Sequence, residues 1–176
     1  NKNNCNYKYL SGGVVGGSLL NGEYKVGDEI EIRPGVIENN NGSISCKPLI
    51  TKITSLQSDN LKLNKINSGG LIGIGTNIDP QFTLNDYLAG NVVGLKGTLP
   101  NIYSKIKINC KDLNKDVKNN DLLYLQIGPM STRSKLIDNY YHLEKPCCID
   151  EDMIIIISKK INNKFTIIGY GNIDFI

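Results

Sequence analysis

Residues 12–35 read Gly-Gly-Val-Val-Gly-Gly-Ser-Leu-Leu-Asn-Gly-Glu-Tyr-Lys-Val-Gly-Asp-Glu-Ile-Glu-Ile-Arg-Pro-Gly, and residues 69–80 read Gly-Gly-Leu-Ile-Gly-Ile-Gly-Thr-Asn-Ile-Asp-Pro. Both stretches place glycine inside apolar, β-favouring runs. Glycine there weakens a strand and marks a bulge, a barrel corner or the close approach of another backbone or a ligand. Two such runs in the first half of one chain predict a small barrel with a glycine-lined surface on which something else rests. The alternative reading of the same glycines is tight packing at barrel corners. Neither run carries a group suited to catalysis.

Outward from these runs, β-branched residues and two-residue alternation dominate. Val14–Leu20, Glu29–Arg33, Lys47–Leu56, Leu61–Ile66, Leu71–Ile74 and Asn91–Gly94 read as short strands separated by Asn, Gly and Asp turns. Glu29 and Glu31 fall on the strand face opposite Ile30 and Ile32, the ordinary place for solvated carboxylates. Pro34-Gly35 is read as a strand stop, Asn39–Gly42 as a polar loop tip and Asp79–Ala89 as an ordered loop with one turn. After Gly97-Thr98-Leu99-Pro100 the pattern restarts. Ile102–Asn109, Leu122–Ile127, Arg133–Asp138, Met153–Lys159 and Phe165–Ile173 are further strands, with a polar loop at Lys111–Asp121. No stretch shows an amphipathic helix of three turns. The pattern predicts an all-β chain of two consecutive small β-barrels, residues 1–97 and 98–176.

Composition narrows the function classes. The chain of 176 residues is 40% hydrophobic and 21% charged, a globular balance. Its net charge of +3 is mild, and 18 of the 20 basic residues are lysine, a point charge that suits phosphate contact better than bidentate base reading. Arg33 and Arg133 are therefore the two basic residues to follow. Ser131-Thr132-Arg133-Ser134 reads as a polar turn or a phosphate contact. The five cysteines (Cys5, Cys46, Cys110, Cys147, Cys148) form no Cys-x-x-Cys, and His142 is the only histidine, so no metal site is expected. They read as buried or incidental thiols of a reducing compartment. The longest apolar run is Met153–Ile157, far short of a membrane span, and Asn1–Asn6 has no signal-peptide pattern. A cytosolic location follows by elimination, with no membrane and no DNA partner. Gly73-Ile74-Gly75 lacks the third glycine and the helix of a dinucleotide fingerprint, and no Gly-Lys-Ser/Thr exists for a phosphate loop. His142 has no recognisable nucleophile partner. No catalytic residue is assigned.

The ordered set of Gly-Gly-x-x-Gly-Gly-Ser, Val26-Gly27-Asp28-Glu29-Ile30-Glu31-Ile32-Arg33-Pro34-Gly35, Lys47-Pro48, Gly69–Thr76 with Asp79-Pro80, Ser-Thr, and a late Gly-Tyr-Gly resembles the gamma subunits of eukaryotic and archaeal translation initiation factor 2. The likeness is dense to about residue 100 and looser beyond. Pro129-Met130 and Arg133-Ser134 stand where that family has Ser-Leu and Gly-Gly, Tyr170 stands for Trp, and the Lys111–Asn120 loop is short. The resemblance implies two β-barrels of the translation-factor type, with a strand and loop expected before Asn1. GTP and Mg2+ would belong to a GTPase domain outside this sequence, leaving no cofactor here. It further implies initiator methionyl-tRNA, the alpha and beta subunits of the factor and the small ribosomal subunit as partners. By the same resemblance, Gly69, Gly70, Leu71, Ile72, Gly73, Ile74, Gly75 and Thr76 would line the pocket for the terminal tRNA nucleotide. Arg33 and Lys47 would be nearby phosphate contacts. The rival readings are the barrel region of a selenocysteine-type elongation factor and a structural β-barrel binding module. An unrelated β-barrel enzyme would need an acid/base or nucleophile set that the chain does not offer.

Overall fold

The computed structural model describes residues 12–40, 43–111 and 117–174. The readings of Cys5 and the N-terminal stretch, of Asn41-Gly42 in the Asn39–Gly42 tip and of residues 112–116 in the Lys111–Asp121 loop lie outside these residues. In the first half, β1 (Val14–Leu19), β7 (Gly70–Thr76), β4 (Ser43–Ser58), β3 (Glu29–Asn40) and β8 (Val92–Leu95) are neighbours in that order, and β5 (Leu61–Leu63) also pairs with β4. β2 (Glu23–Lys25) and β6 (Lys65–Asn67) form a separate two-stranded ladder. The inward residues Leu19, Ile30, Ile53, Leu56, Ile72 and Ile74 make its core. A 3-10 helix at Pro80–Asp86 follows β7, its first turn fixed by Asp79 Oδ1 accepting from the Gln81 amide at 2.9 Å.

In the second half, β9 (Ile102–Ile106), β10 (Ile108–Lys111), β11 (Leu122–Ile127), β12 (Met130–Ile137), β13 (Tyr140–Cys148), β14 (Ile154–Ile161) and β15 (Lys164–Ile173) form one sheet in the order β10-β15-β14-β11-β12-β13-β9. The two ends of that order, β10 and β9, are joined in the chain through Lys107 alone, so the sheet curls back upon itself. Leu123, Leu125, Ile155 and Ile157 are completely buried inside it, each contributing roughly 1.5–3 kcal/mol of apolar burial. The all-β reading, two curled sheets, is what the molecule shows. Among the described residues no helix is long and apolar enough to cross a membrane.

Packing divides the chain into two units that are discontinuous in sequence. The first takes in residues up to Glu31, Leu49–Leu88 and Gly94–Gly97; the second takes in Ile32–Pro48, Ala89–Val93 and everything from Thr98 onward. The hairpin arm of β3 and β4 therefore packs with the later strands. Four local readings need correction. Pro34-Gly35 does not stop β3, which continues to Asn40, because the Gly35 amide finds Asn91 Oδ1 at 2.8 Å. Glu31 is buried rather than solvated, its carboxylate accepting from the Gly97 amide at 3.3 Å. Ser131–Ser134 is part of strand β12, with Thr132 and Ser134 facing inward. Tyr140–Cys148 is a nine-residue strand that the alternation did not reveal, because Lys145 and Pro146 interrupt it.

Candidate nucleic-acid interface

Strand alternation splits the run Gly69–Thr76 into two sets. Ile72, Ile74 and Thr76 point inward and are buried, and Thr76 Oγ1 donates to the Gly13 carbonyl at 2.7 Å. Leu71, Gly73 and Gly75 face the other way. The solvent-facing part of the run is Gly69, Gly70, Leu71 and the partly exposed Gly73.

The two glycine runs of the sequence meet each other. β1 and β7 pair antiparallel with Gly16 directly opposite Gly73, Val14 opposite Gly75 and Ser18 opposite Leu71. On the other side of β7, Gln57 is opposite Gly73 and Ser55 opposite Gly75. The outward face therefore has a floor of backbone at Gly16 and Gly73. Val14 and Leu71 rise at its margins, 66% and 74% exposed. Ser58 Oγ donates to the Leu71 carbonyl at 3.0 Å and holds that margin.

A Cβ placed at each glycine separates two kinds of position. At Gly12 it would sit 1.6 Å from the Thr76 carbonyl oxygen, and at Gly13 2.6 Å from Thr83 Cγ2. At Gly75 it would meet Ser55 Oγ at 2.3 Å. Those three are packing glycines. At Gly17, Gly69 and Gly70 nothing lies within 4 Å, at Gly16 the nearest atom is 3.7 Å away and at Gly73 it is 3.9 Å away. Gly16, Gly17, Gly70 and Gly73 also have ordinary backbone angles. Neither packing nor backbone geometry demands glycine there. In a strand each costs roughly 0.5–1 kcal/mol relative to a residue with a side chain. What such positions permit is contact between peptide groups and a flat ring or a second backbone.

Arg33 and Lys47 belong to the other packing unit. Arg33 is half-buried and donates from one terminal guanidinium nitrogen to the carbonyls of Leu99 and Pro100, at 3.0 and 2.8 Å. Its role in the structure is to clasp the 99–100 segment. Beside it, a Cβ on Gly35 would lie 2.2 Å from the Lys47 carbonyl oxygen at a φ of +78°, so only glycine fits. Arg33-Pro34-Gly35 is thus a structural clasp, and Lys47 is exposed on β4. The other arginine, Arg133, is bound to the Glu144 carboxylate at 2.6 Å. That contact holds Glu144 below its usual range.

Two carboxylates of the first unit are paired with lysines. Glu23 on β2 is bound by Lys25 and Lys65, which lower its carboxyl to about 2, and Lys96 holds Glu29 below its usual range. Burial raises the thiols of Cys46 and Cys147, which are poorly suited to thiolate chemistry. Cys147 is buried, its thiol pushed up to about 12 by burial first and by neighbouring Cys148 and Cys46 second. Among the described residues no group of three or more His, Cys, Asp or Glu could hold a metal ion. Sequence reasoning missed Val14, Gly16, Ser18 and Gln57 as parts of one surface, because the pairing of β1 with β7 is non-local.

Residues 98–173 match the family model for initiation factor eIF2 gamma, C terminal. The Methanocaldococcus jannaschii translation initiation factor 2 subunit gamma is 40% identical over 192 residues, spanning 99% of this chain and 46% of that protein. The Encephalitozoon cuniculi eukaryotic translation initiation factor 2 subunit gamma is 38% identical, with 93% and 40% covered. The Drosophila melanogaster eukaryotic translation initiation factor 2 subunit 3 is 35% identical, with 98% and 41% covered. The chain thus spans a little under half the length of these relatives. Among solved structures, the apo form of translation elongation factor SelB from Methanococcus maripaludis superposes with a TM-score of 0.69 at 18% identity, covering 94% of this chain and 41% of that one. That likeness speaks for the fold alone.

Proposed function

This chain belongs to the gamma-subunit family of translation initiation factor 2, and from that premise we propose that it forms the barrel part of a carrier of initiator methionyl-tRNA. In this reading the first unit holds the aminoacyl end of the tRNA together with a GTPase domain outside this sequence. The barrels also scaffold the alpha and beta subunits and dock the factor on the small ribosomal subunit, in the cytoplasm. GTP and Mg2+ are bound elsewhere in the parent protein, and this chain contributes binding rather than chemistry.

The observation that carries the reading is the glycine floor at Gly16 and Gly73. It is a stretch of sheet that forgoes side chains where neither packing nor backbone angle requires it. A single-stranded RNA end is the part of an RNA most open to protein recognition, since its bases are unstacked and its 2′-hydroxyls exposed. A bare strand lets such an end reach the main chain. Leu71 and Val14 offer apolar contact at the margins. The contact set is thereby narrowed from the run Gly69–Thr76 to its outward members and their β1 partners. Identity of 35–40% to initiation-factor gamma subunits favours this reading over the selenocysteine-type elongation factor.

The test uses the parent gamma subunit assembled in its heterotrimer and carrying Gly73→Val. Initiator-tRNA affinity is expected to fall about tenfold, or about 1.4 kcal/mol, with the thermal midpoint within a few degrees of wild type. Unchanged affinity in a folded Gly73→Val protein would refute the assignment of this face.

A further inference from the structure

The second unit presents a surface of the opposite make on the outward side of β11, β14 and β15. Cross-strand register sets Tyr124 beside Ser158 and Ser158 beside Ile167. One row along, Gln126 lies beside Ile156, Ile156 beside Tyr170 and Tyr170 beside Lys111. Phe165 is opposite Lys160. Phe165 and Ile167 are 64% and 67% exposed among the described residues, so large side chains stand largely in water. The Phe165 ring meets Tyr124 edge to face, centroids 4.8 Å apart at 84°. Against these rings lies a shallow depression of about 220 Å³, bordered by Gln126, Ser131 and Ser158.

The chemistry of that depression is specific. It combines an open aromatic face with two hydroxyls, which both donate and accept, and the Gln126 carboxamide, whose Nε2 already donates to the Gly128 carbonyl at 2.8 Å. Apolar protein surfaces would find the hydroxyls and amide poorly matched, whereas a nucleobase offers a π-face and a hydrogen-bonding edge together. The charges agree. Lys111, Lys135 and Lys160 rim the face, and among the described residues none of them forms an ion pair. The carboxylates of Asp150, Glu151 and Asp152 sit at the far end of β14 from Lys160 and Phe165. At the aromatic end Asp121 is neutralised by Lys159 and Glu144 by Arg133, so Lys135 and Lys160 leave that end positive.

We propose that this face binds single-stranded RNA, one base stacking on Phe165 beside Tyr124 while the flanking phosphates pass Lys160 and Lys135. The assignment is independent of the glycine face on the first unit and of the tRNA reading built on it.

The experiment titrates the 176-residue chain into a single-stranded RNA of about ten nucleotides containing 2-aminopurine, following anisotropy and base fluorescence. Saturable binding with a fluorescence change on stacking is expected. Phe165→Leu keeps the apolar bulk and removes the ring, and it should weaken binding about tenfold and abolish the fluorescence change. Replacing Lys135 and Lys160 by Gln should flatten the salt dependence by roughly 0.7 in log–log slope per residue. Phe165 is exposed, so the thermal midpoint of Phe165→Leu should match wild type. The absence of saturable binding, and wild-type affinity in a folded Phe165→Leu chain, would each overturn the proposal. Self-association of the chain through Phe165 without RNA binding would also overturn it, marking a protein contact instead.

Discussion

On the first unit the outward face of β1 and β7 lacks side chains at Gly16 and Gly73, whereas the outward face of β11, β14 and β15 on the second carries Tyr124, Phe165, Ile167 and Tyr170. Both are exterior surfaces of curled antiparallel sheets over isoleucine- and leucine-rich interiors. They differ in what they offer a partner. A bare strand presents peptide groups and shape, and it accepts whatever can lie flat on them. A strand bearing rings and lysines presents stacking area and charge. Interior packing constrains neither face directly, so each can differ while the barrel beneath is unchanged. The sharpest contrast is between inward and outward residues of the same strand, where a change of one position moves from core to contact surface.

Three measurements would break or sharpen this contrast. The largest effect is expected from Leu125→Ala, inward on β11 and completely buried, which should destabilise the second unit by about 2–5 kcal/mol in denaturant unfolding. An effect near zero would mean that the strands beneath the aromatic face are not a packed core.

Next comes a matched pair within the glycine runs. Gly12→Ala forces a Cβ to within 1.6 Å of the Thr76 carbonyl at a φ of +73°, and should cost about 2–4 kcal/mol through overpacking and strain. Gly73→Ala, with nothing nearer than 3.9 Å, should fall within about 0.5 kcal/mol of wild type or above it. Equal losses from the two would erase the distinction between packing and floor glycines.

The smallest effect concerns Asp121, whose carboxylate accepts from Lys159 Nζ at 2.7 Å and from the Lys118 amide at 2.9 Å. The lysine contact first, and the amide second, hold this carboxyl below its ordinary value of 3.8. A carboxyl lowered on folding stabilises above its unfolded value and loses that contribution as pH falls through the folded one. Asp121→Asn should therefore cost up to about 1 kcal/mol near neutral pH, the pair being only partly buried. The gap from wild type should close in thermal melts taken progressively below pH 3.8. A gap that stays constant with pH would mean that neither contact acts through the charge of this carboxyl.

The all-β character and most strand positions were legible because alternation and β-branched content are local properties. Val14–Leu20 and Leu122–Ile127 were read within a residue of β1 and β11. The misreadings share one cause. At Pro34-Gly35, at Glu31 and across Tyr140–Cys148, a distant partner satisfies groups that a local reading leaves exposed or broken: Asn91 for Gly35, Gly97 for Glu31, and β9 and β12 for the interrupted strand. Local propensity yields to such contacts.

The sequence by itself determined that glycine interrupts two apolar runs, that charge is mild and lysine-borne, and that no phosphate loop is present. Those are counts and spacings, and they survive any folding. Only the tertiary structure decided that the two glycine runs lie against each other, that Gly16 faces Gly73, and that Gly12, Gly13 and Gly75 are filled while their neighbours stay open. It alone turned Arg33 onto the carbonyls of Leu99 and Pro100 and brought Tyr124 to the ring of Phe165. The physical reason is strand pairing. Residues 51 to 61 positions apart become cross-strand neighbours in β1 and β7 through backbone hydrogen bonds that every residue type offers alike, so the side-chain pattern names the faces and the register chooses which faces meet.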